Sequence, residues 1–588
     1  MAQTSRLIQS NRSFFRAEDL PLLLLPYLLV YLGAWHFQID IQRVRHWFEI
    51  LNFATLGIFL IILWSCQSHL SRPSNVIFWT GLLLFFYLPG AYLEFPSDSW
   101  DHVRRIFSWN NENSSLIHKN ENSHKFAYFF MWSFSGDLLP IARIHALDLW
   151  ATIWQMFVAL QVHRIAKTFD FTDSQAKIAT FSFFILFGHN LFGFRYYSLA
   201  PTSLSYAGYL AILSLLIDRF QIANIFRVPL LASIMAFNHV QELLFLCLLV
   251  PSICAGKLYF ASSAPNKLRA LKILSGTIVL ISFSFGFWFK WRFPEHFDNI
   301  NPASITLIST FKVWHEGYLF RETYGWHGIV ALIFAVIFLR RGTNEQRTLG
   351  WLTLTPTLAL VFPPIVVAMG YSISDASLPY RLLYAFPLSL ILVPGIEFCM
   401  AHFSFRKPIA KTFAVFAILG LLALPPFKHF RGRLISAVYK VPGEGMATSA
   451  IELSQWFAKN RPFPSGCGVI TDDMTGYVFD ANRGAQMYFR RIHPLAMTST
   501  LKTQEDLDAQ EKNFGSICAV VMPRPNLLSR RPYSFLGEYS GHWNPDAQMI
   551  SARYSAEFIA LVDTLNEKGW TEIPATDDYR VFTRPQYR

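Results

Sequence analysis

Long apolar stretches alternate with short basic loops along the first three quarters of the chain. The stretches fall at about 20–37, 50–66, 77–93, 143–160, 178–194, 199–217, 228–255, 272–289, 326–339, 350–370, 382–400 and 410–427. Most approach the ~20 residues a helix needs to cross a bilayer core, so each predicts a helix. The first follows Arg6, Arg12 and Arg16 without a small-residue cleavage site, which reads as a retained membrane helix and not a removed signal peptide.

Beyond about residue 430 the pattern becomes that of ordinary soluble sequence. Ala447–Lys459 predicts an amphipathic helix, and 503–513 and Ala552–Lys568 predict two further helices. The segments 467–473, 517–522 and 579–583 predict short strands, the first two buried. Helices alternating with apolar strands imply a small α/β domain with a partly parallel sheet.

Composition agrees with this division. Of 588 residues 52% are hydrophobic, 16% aromatic and only 15% charged, whereas soluble domains are roughly a quarter charged. The expected fold class is a polytopic α-helical membrane protein of about 11–13 spans, one broken or re-entrant, followed by a small C-terminal α/β soluble domain. On this division 1–427 is the transmembrane part, with an outer loop at 94–142, and 428–588 is soluble and extracytoplasmic. The net charge of +12 sits mostly in short loops, where it orients the protein and meets anionic headgroups. Membrane lipids are therefore the expected partner of these cations, and nucleic acid is not.

Basic residues at Arg164, Lys167, Lys177, Arg219, Arg227, Lys257, Lys267, Arg340, Arg341 and Arg406 mark cytoplasmic loops. The run 228–255 then has cytoplasmic loops at both ends and is too long for one straight crossing. Near its middle stands Phe237-Asn238-His239-Val240-Gln241-Glu242. A re-entrant hairpin or two short helices, with Asn238 and His239 at the outer apex, satisfies both facts, and broken backbone at membrane depth must line protein or a cavity.

Six residues group near the third apolar run. Asp98 and Asp101 are spaced i, i+3, and His102, Arg104 and Arg105 follow after Trp100. Two carboxylates a turn apart raise one another's pKa, so one serves as base while the other holds a proton. His102 titrates near neutrality, and the arginines offer forked donors for phosphate. A solvated interfacial loop is the plain alternative. His239 and Glu242 are charged groups inside an apolar run, where they face a cavity or a partner; the plain alternative is a pair locking two helices. Arg381 heads the run 382–400 on the outer side, placed for a lipid phosphate or as a snorkelling anchor.

Cys66, Cys247, Cys254 and Cys399 fall in or beside apolar runs as small hydrophobes. Cys467 and Cys518 are able to pair if their domain faces an oxidising compartment. No CxxC or His/Cys cluster indicates a metal site, and no GxGxxG or Walker loop supports a nucleotide. No cofactor follows; a divalent cation is the one left open.

The chain resembles the GT-C superfamily of membrane glycosyltransferases in three features. They are the acidic first large outer loop Asp98-Ser99-Trp100-Asp101-His102, Arg381 at the head of a late helix, and a C-terminal α/β domain with Val469-Ile470-Thr471-Asp472-Asp473 and Thr475-Gly476-Tyr477 near its start. The acidic loop follows the third apolar run here and the first in the superfamily pattern, so two additional N-terminal helices are implied. The resemblance implies a polyprenyl-phosphate sugar donor at the cell (inner) membrane and an extracytoplasmic acceptor of unknown identity. It makes Asp98 or Asp101 the general base, supported by His102. Arg381 becomes the phosphate clamp, with Arg104, Arg105, His239 and Glu242 around the lipid phosphate. The competing class is a transporter or flippase of a polar lipid or envelope sugar, with His239 and Glu242 as coupling groups, although no related halves are visible. An O-antigen ligase or polymerase would place its large loop late in the chain.

Overall fold

The structure is a computed structural model that describes chiefly residues 22–39, 73–91, 143–186, 201–217, 224–260, 325–362, 379–401, 446–460, 468–471, 488–491, 517–524 and 559–587, with shorter pieces between them. The chain divides into two compact units. The first comprises Met1–Phe86, Ser115–Pro140 and Leu149–Lys428, and the second Tyr87–Ser114, Ile141–Asp148 and His429–Arg588.

The described part of the first unit is helical. It contains α1 (Leu25–His36), α2 (Pro73–Ala91, whose residues 87–91 belong to the second unit), α3 (Arg143–Thr168, whose residues 143–148 belong to the second unit), α4 (Asp173–Leu186), α5 (Pro201–Ile217), α6 (Asn224–Ala236), α7 (Val240–Phe260), α8 (Gly325–Arg341), α9 (Asn344–Val361) and α10 (Ser389–Ala401). Among the described residues one helix, at Gln241–Phe260, is long and apolar enough to cross a membrane; shorter apolar helices lie at Leu22–Ala34, Pro73–Tyr87, Ser203–Ile217, Arg227–Ala236 and Ser389–Ala401. The runs at 272–289 and 410–427 lie largely outside the described residues.

Helix boundaries follow local chemistry. Thr172 caps α4 reciprocally with Gln175, backbone to side chain at 2.7 and 3.3 Å, and Thr343 does the same for α9 with Gln346. Both are capping boxes, each satisfying two orphan N–H groups. The α8–α9 hairpin closes tightly because Gly350 leaves room: a Cβ there would stand 2.7 Å from the Ala335 carbonyl oxygen. Small residues of this kind let helix backbones approach closely. Helix α7 joins α9 through polar groups, with Ser252 Oγ and Thr355 Oγ1 at 2.5 Å and the Trp351 indole N–H donating to the Ser252 carbonyl at 2.9 Å.

Two apolar runs are interrupted. The 228–255 run breaks at Phe237–His239 into α6 and α7, where its polar centre predicted a break. The 382–400 run was expected to be one helix headed by Arg381. It opens instead as a 3-10 helix, Pro379–Ala385, and becomes α-helical only at Ser389. Pro387 explains the interruption, since its ring removes a donor and disfavours the α conformation in the residue before it.

In the second unit, α11 (Met446–Asn460) is followed by β1 (Gly468–Thr471), β2 (Tyr488–Arg491), β3 (Ile517–Pro523), α12 (559–567), β4 (Thr571–Thr576) and β5 (Tyr579–Thr583). The sheet order is β2-β1-β3-β5-β4. Strand β1 runs parallel to β2 and β3, whereas β5 is antiparallel to both β3 and β4. The central strand β3 is buried throughout, as a strand covered on both faces must be. Strand β5 coincides with the strand expected at 579–583, whereas β2 and β4 were not foreseen: Thr571–Thr576 carries Glu572 and Pro574, which mask a strand pattern.

Candidate functional site

Helix α5 organises the candidate site. Its residues from Ser203 to Leu216 are buried, tyrosines included. A buried hydroxyl requires a partner, and α5 directs three of them at non-helical backbone or side chains elsewhere. Ser205 Oγ accepts from Asn238 Nδ2 at 2.7 Å. Tyr206 donates to the Tyr384 carbonyl at 3.0 Å, and Tyr209 donates to the Ala385 carbonyl. The helix therefore holds the α6–α7 turn with one residue and the C-terminal end of the 3-10 segment with the next residue and one a turn further on.

The turn has its own support. Its backbone bonds run from Phe237 N–H to Ser233 O at 3.1 Å, and from Asn238 and His239 N–H to Met235 O at 2.9 and 2.8 Å. Phe126 N–H donates to Phe237 O at 2.9 Å. These bonds satisfy backbone that a helix would otherwise pair internally. Beside the turn, His239 Nδ1 and Glu242 Oε2 are 2.6 Å apart; the imidazole is 21% exposed and the carboxyl 0%. Glu242 Oε1 has no hydrogen-bond partner among the described residues. The carboxyl also lies near enough to Tyr206 and Tyr209 to act on both electrostatically.

The residues named from the sequence are distributed as follows. His239 and Glu242 meet directly, and Arg381 lies in the 3-10 segment that Tyr206 and Tyr209 hold by its carbonyls. His102 and Arg105 are helical and half-buried within the second unit, beside buried Val103 and Ile106. Asp98, Asp101, Arg104 and the Arg381 side chain lie outside the described residues. Among the described residues no group of three or more His, Cys, Asp or Glu could hold a metal ion.

Sequence reasoning passed over Ser205, Tyr206, Tyr209 and Tyr384. The available signal was Ser205-Tyr206 followed by Tyr209 inside a run otherwise apolar enough for a membrane: a phenol buried there seeks a hydrogen-bond acceptor.

No protein-family model matches the chain, and no curated protein matches it in sequence. In structure it is similar to the Archaeoglobus fulgidus oligosaccharyltransferase tethered to an acceptor peptide with the NVT sequon, at 12% identity over 80% of this chain and 72% of that one, with a TM-score of 0.42. The same organism's oligosaccharyltransferase in complex with zinc and sulfate gives 13%, 77%, 67% and 0.43. Its AglB in complex with an inhibitory peptide and a dolichol-phosphate gives 11%, 77%, 70% and 0.40. At such identities and TM-scores the likeness carries no argument about activity.

Proposed function

We propose that the chain is an integral membrane glycosyltransferase that moves a sugar from a polyprenyl-phosphate carrier to an extracytoplasmic acceptor. The observation that carries this reading is the joint suspension of the His239 turn and the Arg381 segment from α5. Two interruptions of membrane-length apolar runs, one bearing a His–Glu pair and one an arginine, share a single scaffold. Irregular backbone of this kind belongs where a polar ligand is handled.

In this reading Asp98 or Asp101 accepts the proton of an acceptor hydroxyl, within hydrogen-bond reach of it. The acceptor oxygen bonds to the anomeric carbon as the bond from that carbon to the carrier phosphate oxygen breaks, and the electron pair departs with the phosphate. Arg381, Arg104 and Arg105 neutralise that charge, and His239 binds the carrier phosphate equally before and after the bond breaks. The C-terminal α/β domain takes part in recognising the acceptor, and the disulfide state of Cys518 supports placing it in an oxidising compartment.

The test is transfer in vitro from radiolabelled polyprenyl-phosphate sugars by the purified full chain. Labelled product that depends on the enzyme is expected. Proton-driven uptake into liposomes without any transfer would contradict the proposal and favour a transporter.

A further inference from the structure

The His239–Glu242 pair is built in a way that structural locking does not explain. Its members stand three residues apart at the start of α7, so the pair ties no two helices together. The turn is already held by Asn238 on Ser205 and by Phe126 N–H on Phe237 O. Nor is Glu242 a helix cap. A glutamate at the third helical position commonly reaches back to the cap residue's N–H, but the His239 N–H is bonded to Met235 O at 2.8 Å. The phenol protons of Tyr206 and Tyr209 are directed at the Tyr384 and Ala385 carbonyls.

What remains is a carboxyl with no exposure whose bonded oxygen, among the described residues, serves the imidazole alone. Burying a carboxylate with so few partners is costly, and the imidazole is the group that gains. A carboxylate on one ring nitrogen fixes the ring orientation, and in the imidazolium the other nitrogen also carries a proton, which an anionic ligand accepts. His239 is the more exposed member, so its Nε2 is the nitrogen that remains.

We propose that Glu242 is a positioning residue whose carboxylate accepts from His239 Nδ1–H, so that the ring, bound as the imidazolium with a proton on each nitrogen, donates Nε2–H to a phosphate oxygen of the lipid-linked donor. This deepens the proposed function and rests on it. The bond is charge-assisted, and its geometry depends on the ring being held.

The experiment uses the full chain in nanodiscs, with histidine labelled by nitrogen-15, as wild type, Glu242→Gln, Glu242→Asp and His239→Gln. Three results are expected. Glu242→Gln and His239→Gln raise KM for the polyprenyl-phosphate sugar about tenfold, a difference of ~1.4 kcal/mol, with kcat nearly unchanged. Glu242→Asp recovers most of the loss. The His239 ring resonance, assigned by its disappearance in His239→Gln, shifts with polyprenyl phosphate but not with inorganic phosphate or phosphatidylglycerol, and the shift is lost in Glu242→Gln. A fall in kcat at constant KM would overturn the inference, as would a ring that ignores polyprenyl phosphate or answers all three phosphates alike. If wild type transfers no sugar yet the ring shows the selective response, the transferase reading fails while the phosphate site stands.

Discussion

Tyr206 and Tyr384 are joined by one hydrogen bond, phenol to backbone carbonyl at 3.0 Å, across 178 residues of sequence. Both residues are buried. With Tyr209 on the Ala385 carbonyl, this bond satisfies backbone acceptors at the end of the 3-10 segment that carries Arg381.

Replacing either tyrosine by phenylalanine removes a buried hydrogen bond, at a cost of about 0.5–1.5 kcal/mol. Tyr206→Phe and Tyr209→Phe should each lower the thermal midpoint in detergent, and the double variant should show the larger loss in donor KM. Unchanged stability in both single variants would mean that the segment is held by other means.

Gly350 offers a test of the α8–α9 approach. Alanine is the better helix former by about 1 kcal/mol, yet its Cβ would meet the Ala335 carbonyl oxygen at 2.7 Å. Overpacking of this kind costs about 1–3 kcal/mol, so Gly350→Ala should destabilise the protein in thermal unfolding. A rise in midpoint would show that the two helices separate freely.

The broken run at 237–239 and the alternating elements of the C-terminal domain were legible in the sequence, for distinct reasons. Asn238, His239 and Glu242 interrupt an apolar run too long for one crossing, and 517–522 is a short apolar strand between polar flanks. The 3-10 start of the 382–400 run was not legible, because hydropathy reads Leu382 to Leu392 as continuous while Pro387 acts through backbone geometry alone. Neither was the role of α5. Which carbonyl a buried tyrosine reaches depends on how the helices pack, and Tyr206 finds Tyr384 only in three dimensions. The pairing of Asn238 with Ser205 was hidden in the same way.

Cys518 is disulfide-bonded, and Cys247, Cys254 and Cys399 are free thiols. The partner of Cys518 lies outside the described residues, and Cys467 is the partner expected from the sequence. In the denatured, unreduced protein Cys518 should resist maleimide, and Cys467→Ser should make it reactive. Loss of the bridge should cost the domain about 2–4 kcal/mol. Labelling of Cys518 in unreduced wild type would contradict both the pairing and an oxidising location.

Acid should weaken the β4–β5 hairpin. Arg580 Nε donates to Glu572 Oε1 at 2.8 Å, and a second guanidinium nitrogen bonds the other oxygen. The Arg580 hydrogen bond holds the Glu572 carboxyl below its ordinary value of 4.5. With the folded value depressed, the pair's stabilisation is present above the unfolded value and is lost as pH falls below it through the folded value. The pair is partly exposed, so its worth stays under about 1 kcal/mol. Hydrogen-exchange protection of β4 and β5 should exceed that of Glu572→Gln near neutral pH and converge with it in acid, once pH has fallen through the depressed folded value. A difference that persists in acid would mean that the glutamine substitution acts through packing.

The most direct measurement of the central claim is sugar transfer by the full chain from a radiolabelled polyprenyl-phosphate donor, comparing wild type with Asp98→Asn and Asp101→Asn. Glycosyl transfer by wild type and a loss of about 100-fold or more in one of the two variants, the scale of a removed general base, is the predicted result. Equal transfer by all three proteins would contradict the assignment of the base, and no transfer by wild type from any such donor would contradict the function itself.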